Sequence, residues 1–191
     1  MDSLDNGSAG ERLESELHAS DRVRSRSSDE GRSWRDKRDN DTLKTMRIYL
    51  ACTVRGERGG VLAGRAICER SQDHGHEVLT THLLADDVEQ AESQLTEEQV
   101  YRRDIDWLSR CDVLVAEASG SSYGVGFEVG YLIGRARETR QRVLLVYDTS
   151  RRHAVSRLIT GNCDEACTTF GYRSIEDLTA FIDQQLGRAA V

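Results

Sequence analysis

The hydrophobic pattern of this chain changes at residue 46, where short apolar runs begin to alternate with amphipathic stretches. Runs such as Val113–Ala116 and Val143–Tyr147 have the length and aliphatic composition of buried strands. The stretches between the runs space their apolar residues as helices do. The pattern predicts strands at residues 48–52, 78–80, 113–116, 143–147 and 168–170, and helices at residues 61–73, 96–109, 125–138, 153–159 and 174–186.

The predicted strands lack a strict alternation of apolar and polar residues, and helices separate them. This arrangement is typical of a parallel sheet that is covered on both faces. We therefore predict an α/β fold, a Rossmann-like doubly wound parallel sheet of about five strands flanked by helices. The acidic segment at residues 85–93 is predicted to be a loop, and Thr96 with Gln99 is predicted to cap the helix that follows it.

Residues 1–45 have a different composition from the rest of the chain. Asp, Ser, Arg and Glu dominate this segment, and almost no apolar pattern is present. Such a segment buries too little surface to offset the entropy of ordering, so we predict a disordered, charged tail and a domain at residues 46–191. No apolar run resembles a signal peptide or is long enough to cross a bilayer, and we expect a cytoplasmic protein, or a nuclear one in a eukaryote.

The net charge limits the possible partners, and the cysteines bear on disulfides and metal binding. The net charge is −7, and the arginines are mixed with carboxylates, so we expect no nucleic-acid polymer as a partner. Five cysteines without a secretory signal indicate free thiols. Cys163 and Cys167 have no second pair that would complete a metal site, so the sequence predicts no metal and no cofactor.

Two glycine-containing loops follow the first and third predicted strands, at Thr53–Gly56 and Ser119–Gly126. The carboxyl ends of parallel strands meet at one edge of the sheet, where ligands of doubly wound folds bind. The first loop is neither a Walker loop nor a dinucleotide fingerprint. Thr53, Arg55 and Gly56 nevertheless supply a hydroxyl, a positive charge and a close backbone, which suit a phosphate. The alternative for Arg55 is a surface arginine.

Two carboxylates are candidates for chemistry near these loops. Glu128 is predicted to lie in the first turn of the helix after the second loop, or else to be an N-terminal dipole partner in a packing turn. Asp104 is predicted to share a helix face with Trp107, Leu108 and Cys111, with Ile105 and Asp106 turned elsewhere. A carboxylate on such a face is unusual unless it is used, and the alternative is a cap or an ion pair with Arg103 or Arg110.

Several segments, in this order and spacing, match one known family. They are Arg47–Tyr49, Thr53–Gly56, Leu79–His82, Asp104–Leu108, Asp112–Glu117, Ser122–Gly130 and Val155–Gly161. Together they resemble the 2′-deoxynucleoside 5′-monophosphate N-glycosidases of the nucleoside 2-deoxyribosyltransferase superfamily, over about residues 46–187. The resemblance implies hydrolysis of the N-glycosidic bond, which gives a free base and 2-deoxyribose 5-phosphate.

The resemblance also implies a role for each matching residue. Glu128 would be the nucleophile that forms a covalent glycosyl ester, Asp104 the carboxylate that assists the leaving base and the water, and Tyr49 a hydrogen-bond donor to the nucleophile. Ser156 would reach the phosphate in the neighbouring subunit's site, which implies a homodimer. The remaining matches would bind the substrate. His82 would lie near the base, and the residues that would bind the phosphate are Thr53, Val54, Arg55, Gly56, Ser122 and Gly124.

Two departures from the family pattern, and two other functions, stay open. Thr81 stands where close relatives have Glu, which leaves the preferred base open, and Ser121 stands where they have Pro. A deoxyribosyltransferase of the same fold is an alternative, although such relatives usually have Asn at the position of Ser156. A sensor that binds nucleotides without catalysis is a second alternative, but it would not need both Glu128 and Asp104.

Overall fold

The computed structural model describes residues 45–53, 59–120 and 122–187. The predicted tail lies outside the described residues except for Thr45, so its disorder stays a prediction. The strands are β1 (Arg47–Ala51), β2 (Glu77–Val78), β3 (Val113–Glu117), β4 (Arg142–Asp148) and β5 (Cys167–Tyr172). The helices are α1 (Val61–Asp73), α2 (Val88–Glu92), α3 (Glu97–Arg110), α4 (Tyr123–Thr139), α5 (Arg157–Thr160) and α6 (Ile175–Leu186), with 3₁₀ turns at Thr81–Leu84 and Thr149–Arg151.

The strands of the described residues form one parallel sheet of five strands, in the order β2-β1-β3-β4-β5. The predicted fold class is therefore confirmed. The chain after β1 returns to β2 on one side of β1, whereas the chain after β3 leads to β4 on the other side. The strand order thus reverses between β1 and β3, which is where doubly wound sheets open a crevice for a ligand at their carboxyl edge.

Two apolar clusters cover the two faces of this sheet, because successive strand residues point to opposite faces. On one face Ile48, Leu50, Val113, Val115, Leu144 and Val146 pack against Ala63, Ile67, Leu178 and Ile182 of α1 and α6. On the other face Tyr49, Ala51, Leu114, Ala116, Val143 and Leu145 pack against Leu108, Val125, Val129 and Leu132 of α3 and α4. Tyr49 therefore points toward the side of the sheet that carries α3 and α4.

Two segments differ from the predicted elements. The acidic segment predicted as a loop contains α2, because Val88 is buried to 1% exposure and packs beside Cys52 and Leu83. The helix predicted at residues 153–159 is replaced by the 3₁₀ turn at Thr149–Arg151 and by the short α5. Asp148 and Ser156 cap these two pieces separately, which divides the segment.

Local caps fix where the helices beside the crevice begin. The predicted cap of α3 is confirmed: Gln99 N–H donates to Thr96 Oγ1 at 3.2 Å, and Thr96 N–H donates to Gln99 Oε1 at 2.8 Å. Ser122 caps α4 and accepts a hydrogen bond from the Val125 N–H. In the described part of the chain, no helix has the length and apolar character that crossing a membrane requires.

Candidate active site

A hydrogen bond joins two of the predicted catalytic residues. The Tyr49 hydroxyl donates to Glu128 Oε1 at 2.6 Å, between strand β1 and helix α4. Tyr49 is 1% exposed, so its ring is fixed in the core while its hydroxyl reaches the carboxylate. Burial, followed by the charges of Glu128 and Asp104, raises the pKa of Tyr49 far above its ordinary value. Tyr49 therefore stays a neutral donor at physiological pH.

Glu128 lies in the second turn of α4, not in the first turn as predicted. Helix α4 begins at Tyr123, because Ser122 is its cap, and the loop predicted to extend to Gly126 is correspondingly shorter. Burial of the carboxyl group raises the pKa of Glu128 to about 7, the charges of Asp104 and Glu92 add to the rise, and the Tyr49 hydrogen bond opposes it. The acid and the carboxylate forms of Glu128 are therefore both populated near neutral pH.

Asp104 extends from α3 toward the same group of residues. Arg103 Nε donates to Asp104 Oδ1 at 2.8 Å, so the ion pair considered as an alternative role for Asp104 is present. The charge of Asp104 also acts on both Tyr49 and Glu128, which places these groups in one electrostatic environment. The predicted helix face needs one correction, because Ile105 is not turned away but packs against the core cluster beside Leu108.

His82 lies beside Trp107 and Glu92, in a group of side chains close to Asp104. Its ring is 5.4 Å from the Trp107 ring, between centroids, and its Nε2 is 3.6 Å from Glu92 Oε1. Burial, with a further contribution from the charge of Arg103, lowers the pKa of His82, which favours the neutral imidazole. Trp107 and His82 together form an aromatic corner of the kind on which a planar base can stack.

Glu92 and Arg103 complete this group, and the sequence did not single out Glu92. Arg103 Nη2 donates to Glu92 Oε1 at 2.7 Å, and its guanidinium carbon lies 5.1 Å from the centre of the Trp107 ring. Glu92 belongs to α2, which the sequence pattern predicted as part of a loop. A single apolar residue, Val88, anchors α2, and such an anchor leaves no periodic signal in a sequence.

The two loops proposed to bind a phosphate are described in part. Thr53 is buried, and its Oγ1 has no hydrogen-bond partner among the residues that the structure describes. Val54, Arg55 and Gly56 lie outside the described residues, so their roles stay predictions. In the second loop Gly124 is exposed, and a Cβ added there would approach Ser122 Oγ at 3.6 Å with no closer neighbour. In the first turn of α4, Tyr123, Gly124 and Gly126 are thus exposed, whereas Val125 is buried.

Ser156 belongs to a different segment, at the start of α5. Its Oγ accepts a hydrogen bond from the Leu158 N–H at 3.3 Å, and the residue is exposed. Arg152, His153 and Arg157 line an open cavity of about 550 Å³ next to it. Its role in a neighbouring subunit's site stays a prediction.

A buried carboxyl group that the sequence did not predict lies at the end of β3. Glu117 is 1% exposed and accepts hydrogen bonds from the Tyr172 hydroxyl at 3.0 Å and from Ser119. Burial raises the pKa of Glu117. A Cβ on Gly60 would lie 1.8 Å from Glu117 Oε2, so the chain needs glycine where the first loop enters α1. Glu117 thereby lies between Gly60, which precedes α1, and Ser119, which follows β3.

The titratable groups of the site are carboxyls, a phenol and an imidazole. No disulfide involves any of the five cysteines, of which Cys52, Cys68 and Cys111 are buried. Within the described ranges, no three His, Cys, Asp or Glu side chains are placed to hold a metal ion together.

Comparison with known proteins identifies the family. The model of the nucleoside 2-deoxyribosyltransferase family matches residues 48–180, and the chain belongs to that family. The predicted family is therefore confirmed. A Thermofilum pendens protein, provisionally named 2′-deoxynucleoside 5′-phosphate N-hydrolase 1, is 34% identical over 141 residues, covering 74% of this chain and 95% of the relative. A 5-hydroxymethyl-dUMP N-hydrolase of Esox lucius is 31% identical over 122 residues, or 62% of this chain and 81% of the relative.

Solved structures share the fold. The structure of a Clostridium botulinum CMP N-glycosidase superposes with a TM-score of 0.54 at 17% identity, covering 73% of this chain and 99% of that one. A conserved protein from Enterococcus faecalis superposes equally well, with a TM-score of 0.54 at 17% identity over 75% of this chain and all of that one. At this level of identity the likeness supports the architecture of the sheet and its flanking helices.

Proposed function

We propose that this protein hydrolyses the N-glycosidic bond of 2′-deoxynucleoside 5′-monophosphates, with a free nucleobase and 2-deoxyribose 5-phosphate as products. Membership of the family and the N-hydrolase names of its relatives support the class of enzyme, an N-glycosidase. The hydrogen bond between the Tyr49 hydroxyl and Glu128 carries the proposal. It fixes the orientation of the Glu128 carboxyl group on the α4 side of the sheet, and the charge of a second carboxyl group, Asp104, acts on Glu128.

In the first step Glu128 acts as the nucleophile. We assign the attack on C1′ to Glu128 Oε2, because Oε1 accepts the Tyr49 hydrogen bond. A bond forms between this oxygen and C1′ while the bond from C1′ to the base nitrogen breaks. The departing base takes a proton from Asp104, which enters this step as the carboxylic acid after taking up a proton from solvent. The product is a glycosyl ester of Glu128, which divides one difficult displacement into two easier ones.

In the second step water releases the sugar. Asp104, now ionised, takes a proton from a water molecule as the water oxygen bonds to C1′. The ester bond breaks, the electron pair returns to the Glu128 carboxylate, and 2-deoxyribose 5-phosphate leaves. Tyr49 supports both steps. Its neutral hydroxyl orients the Glu128 carboxylate before the attack and stabilises that carboxylate when it leaves C1′.

The 5′-phosphate is proposed to bind between the two loops after β1 and β3. Thr53 supports this assignment, because its buried hydroxyl has no hydrogen-bond partner among the described residues. Arg55, with Val54 and Gly56, would supply the charge and the backbone donors, and Ser122 and Gly124 would bring the open N-terminus of α4. Ser156 would come from the neighbouring subunit, so the proposed working form is a homodimer in the cytoplasm.

An assay of free base released from the four common deoxynucleoside monophosphates and from 5-hydroxymethyl-dUMP tests the proposal. We expect release of base from the monophosphate and much slower release from the corresponding nucleoside. Loss of a charge-assisted contact costs about 1.5–3 kcal/mol, so Arg55→Ala should raise KM for the nucleotide. Adding a second base separates hydrolysis from transfer, and exchange that outpaces hydrolysis would show a deoxyribosyltransferase instead.

A further inference from the structure

The side chain of Arg103 is held at three points beside the proposed catalytic carboxyl group. Its Nε donates to Asp104 Oδ1 at 2.8 Å, and its Nη2 donates to Glu92 Oε1 at 2.7 Å. Its guanidinium also lies over the Trp107 ring. A planar guanidinium fixed by two carboxylates and an aromatic face keeps little rotational freedom, so it can fix the group that it contacts.

The anchor of Arg103 is rigid as well. The Glu92 side chain is 12% exposed, and α2 is tied to the protein by Val88, which is buried at 1% exposure. A second ion pair on α3 provides a contrast, because the side chains of Arg102 and Glu98 are 75% and 70% exposed, although their atoms approach to 2.6 Å. Exposed pairs of this kind contribute little, whereas the Arg103–Glu92 pair, with side chains 21% and 12% exposed, is largely shielded from solvent.

We propose that Glu92 and Arg103 are positioning residues, which hold the Asp104 carboxyl group in the orientation needed for proton transfer to the leaving base. This inference rests on the proposed function. Glu92 orients Arg103 from α2, and Arg103 in turn orients Asp104 on α3. Since adjacent residues on a helix do not face each other, the Arg103–Asp104 contact needs such an outside anchor.

A double-mutant cycle tests the proposal kinetically. Glu92→Ala should lower kcat roughly 10- to 100-fold with a small change in KM, as expected when a charge-assisted contact is lost. In the Asp104→Asn background the same change should lower kcat by about twofold or less, because Asp104 no longer needs orienting. Glu92→Gln keeps an oxygen acceptor for Arg103 and should restore part of the activity. Glu98→Ala is the matched control and should leave kcat unchanged.

Additive losses in the two backgrounds would overturn the proposal, since they would show a structural role. If Glu92→Ala does not fold, Glu92→Gln and Arg103→Lys carry the cycle, and the proposal requires that both lose their effect when Asp104 is replaced. A carboxyl ¹³C NMR signal assigned to Asp104 gives a readout without substrate. It should shift in Glu92→Ala and stay in place in Glu98→Ala.

The two measurements separate this proposal from the proposed function. An unchanged Asp104 signal in Glu92→Ala, in a protein that releases base, would refute the positioning and leave the N-glycosidase intact. A shifted signal in a protein that releases no base from any nucleotide would refute the function, and with it the kinetic purpose of the contact.

Discussion

Two clusters of charged side chains lie on opposite faces of the sheet. Both combine an arginine with carboxylates, but they differ in how the carboxylates are paired. The α1–α6 cluster consists of Arg70, Asp73, His74 and Asp183, and the site cluster consists of Glu92, Arg103, Asp104 and Glu128. In the first, Arg70 donates through both Nε and Nη2 to Asp183, and His74 Nε2 lies 2.7 Å from the same carboxylate. In the second, the single guanidinium of Arg103 is shared between two carboxylates, and a third lies close by.

The pKa values report this difference. The Arg70 hydrogen bonds, with help from His74, lower the pKa of Asp183 to about 2, so that carboxylate is ionised and fully paired at neutral pH. Burial, with the neighbouring carboxylates, raises the pKa of Glu128 to about 7. The first cluster stabilises an ionised carboxylate between two helices, whereas the second raises the pKa of a carboxyl group, as is common at functional sites.

Replacing the reactive carboxyl group gives the largest expected effect and the most direct test of this contrast. Glu128→Gln removes the proposed nucleophile but keeps an oxygen that can accept the Tyr49 hydrogen bond, so kcat should fall by roughly 10³-fold or more. Asp183→Asn should leave kcat within about twofold, since Asp183 lies at the contact between α1 and α6. Steady-state release of base from the preferred nucleotide measures both. Wild-type turnover in Glu128→Gln would end the proposed mechanism.

Much of the structure behind this contrast could be predicted from local sequence patterns, and part of it could not. The order of the five strands and of the long helices was predicted, because these helices carry their own apolar period or their own cap, as at Thr96. The start of α4 was predicted too late in the chain. Tyr123, Gly124 and Gly126 are exposed, so only the Ser122 cap marks where the helix begins. Position in the chain could not show that Glu92 reaches Arg103, since that contact depends on how α2 packs against the domain.

The pH dependence of activity should reveal the raised pKa of Glu128. The nucleophile must be ionised, so kcat/KM should fall as the pH drops through about 7. The Tyr49 hydrogen bond lowers the pKa of Glu128, and Tyr49→Phe should therefore move this acid limb to higher pH, with roughly a tenfold loss of kcat/KM at pH 7. Profiles of kcat/KM against pH for both proteins measure the shift.

Asp183→Asn is the control for that shift and should leave the acid limb in place. An acid limb near pH 4 in the wild-type protein would mean that Glu128 is stabilised like Asp183, and the contrast between the two clusters would be lost.

The smallest effects concern stability, and the two clusters should give opposite signs with pH. The pKa of Asp183 falls on folding from an ordinary 3.8 to about 2, so its contribution is complete above pH 3.8 and is lost as the pH falls toward 2. The pKa of Glu128 rises on folding from 4.5 to about 7, so its contribution is complete below pH 4.5 and is lost as the pH rises through 7.

Urea unfolding of single variants at several pH values measures these signs. Asp183→Asn should lower the free energy of unfolding by about 1 kcal/mol at pH 7, as expected for a solvent-screened ion pair, and by less at pH 3. Glu128→Gln, which resembles the protonated acid, should be close to wild type at pH 4.5 and more stable than wild type by roughly 1 kcal/mol at pH 8. If both variants were destabilised equally at pH 8, Glu128 would be a paired structural carboxylate, and the reactivity assigned to it would have no electrostatic basis.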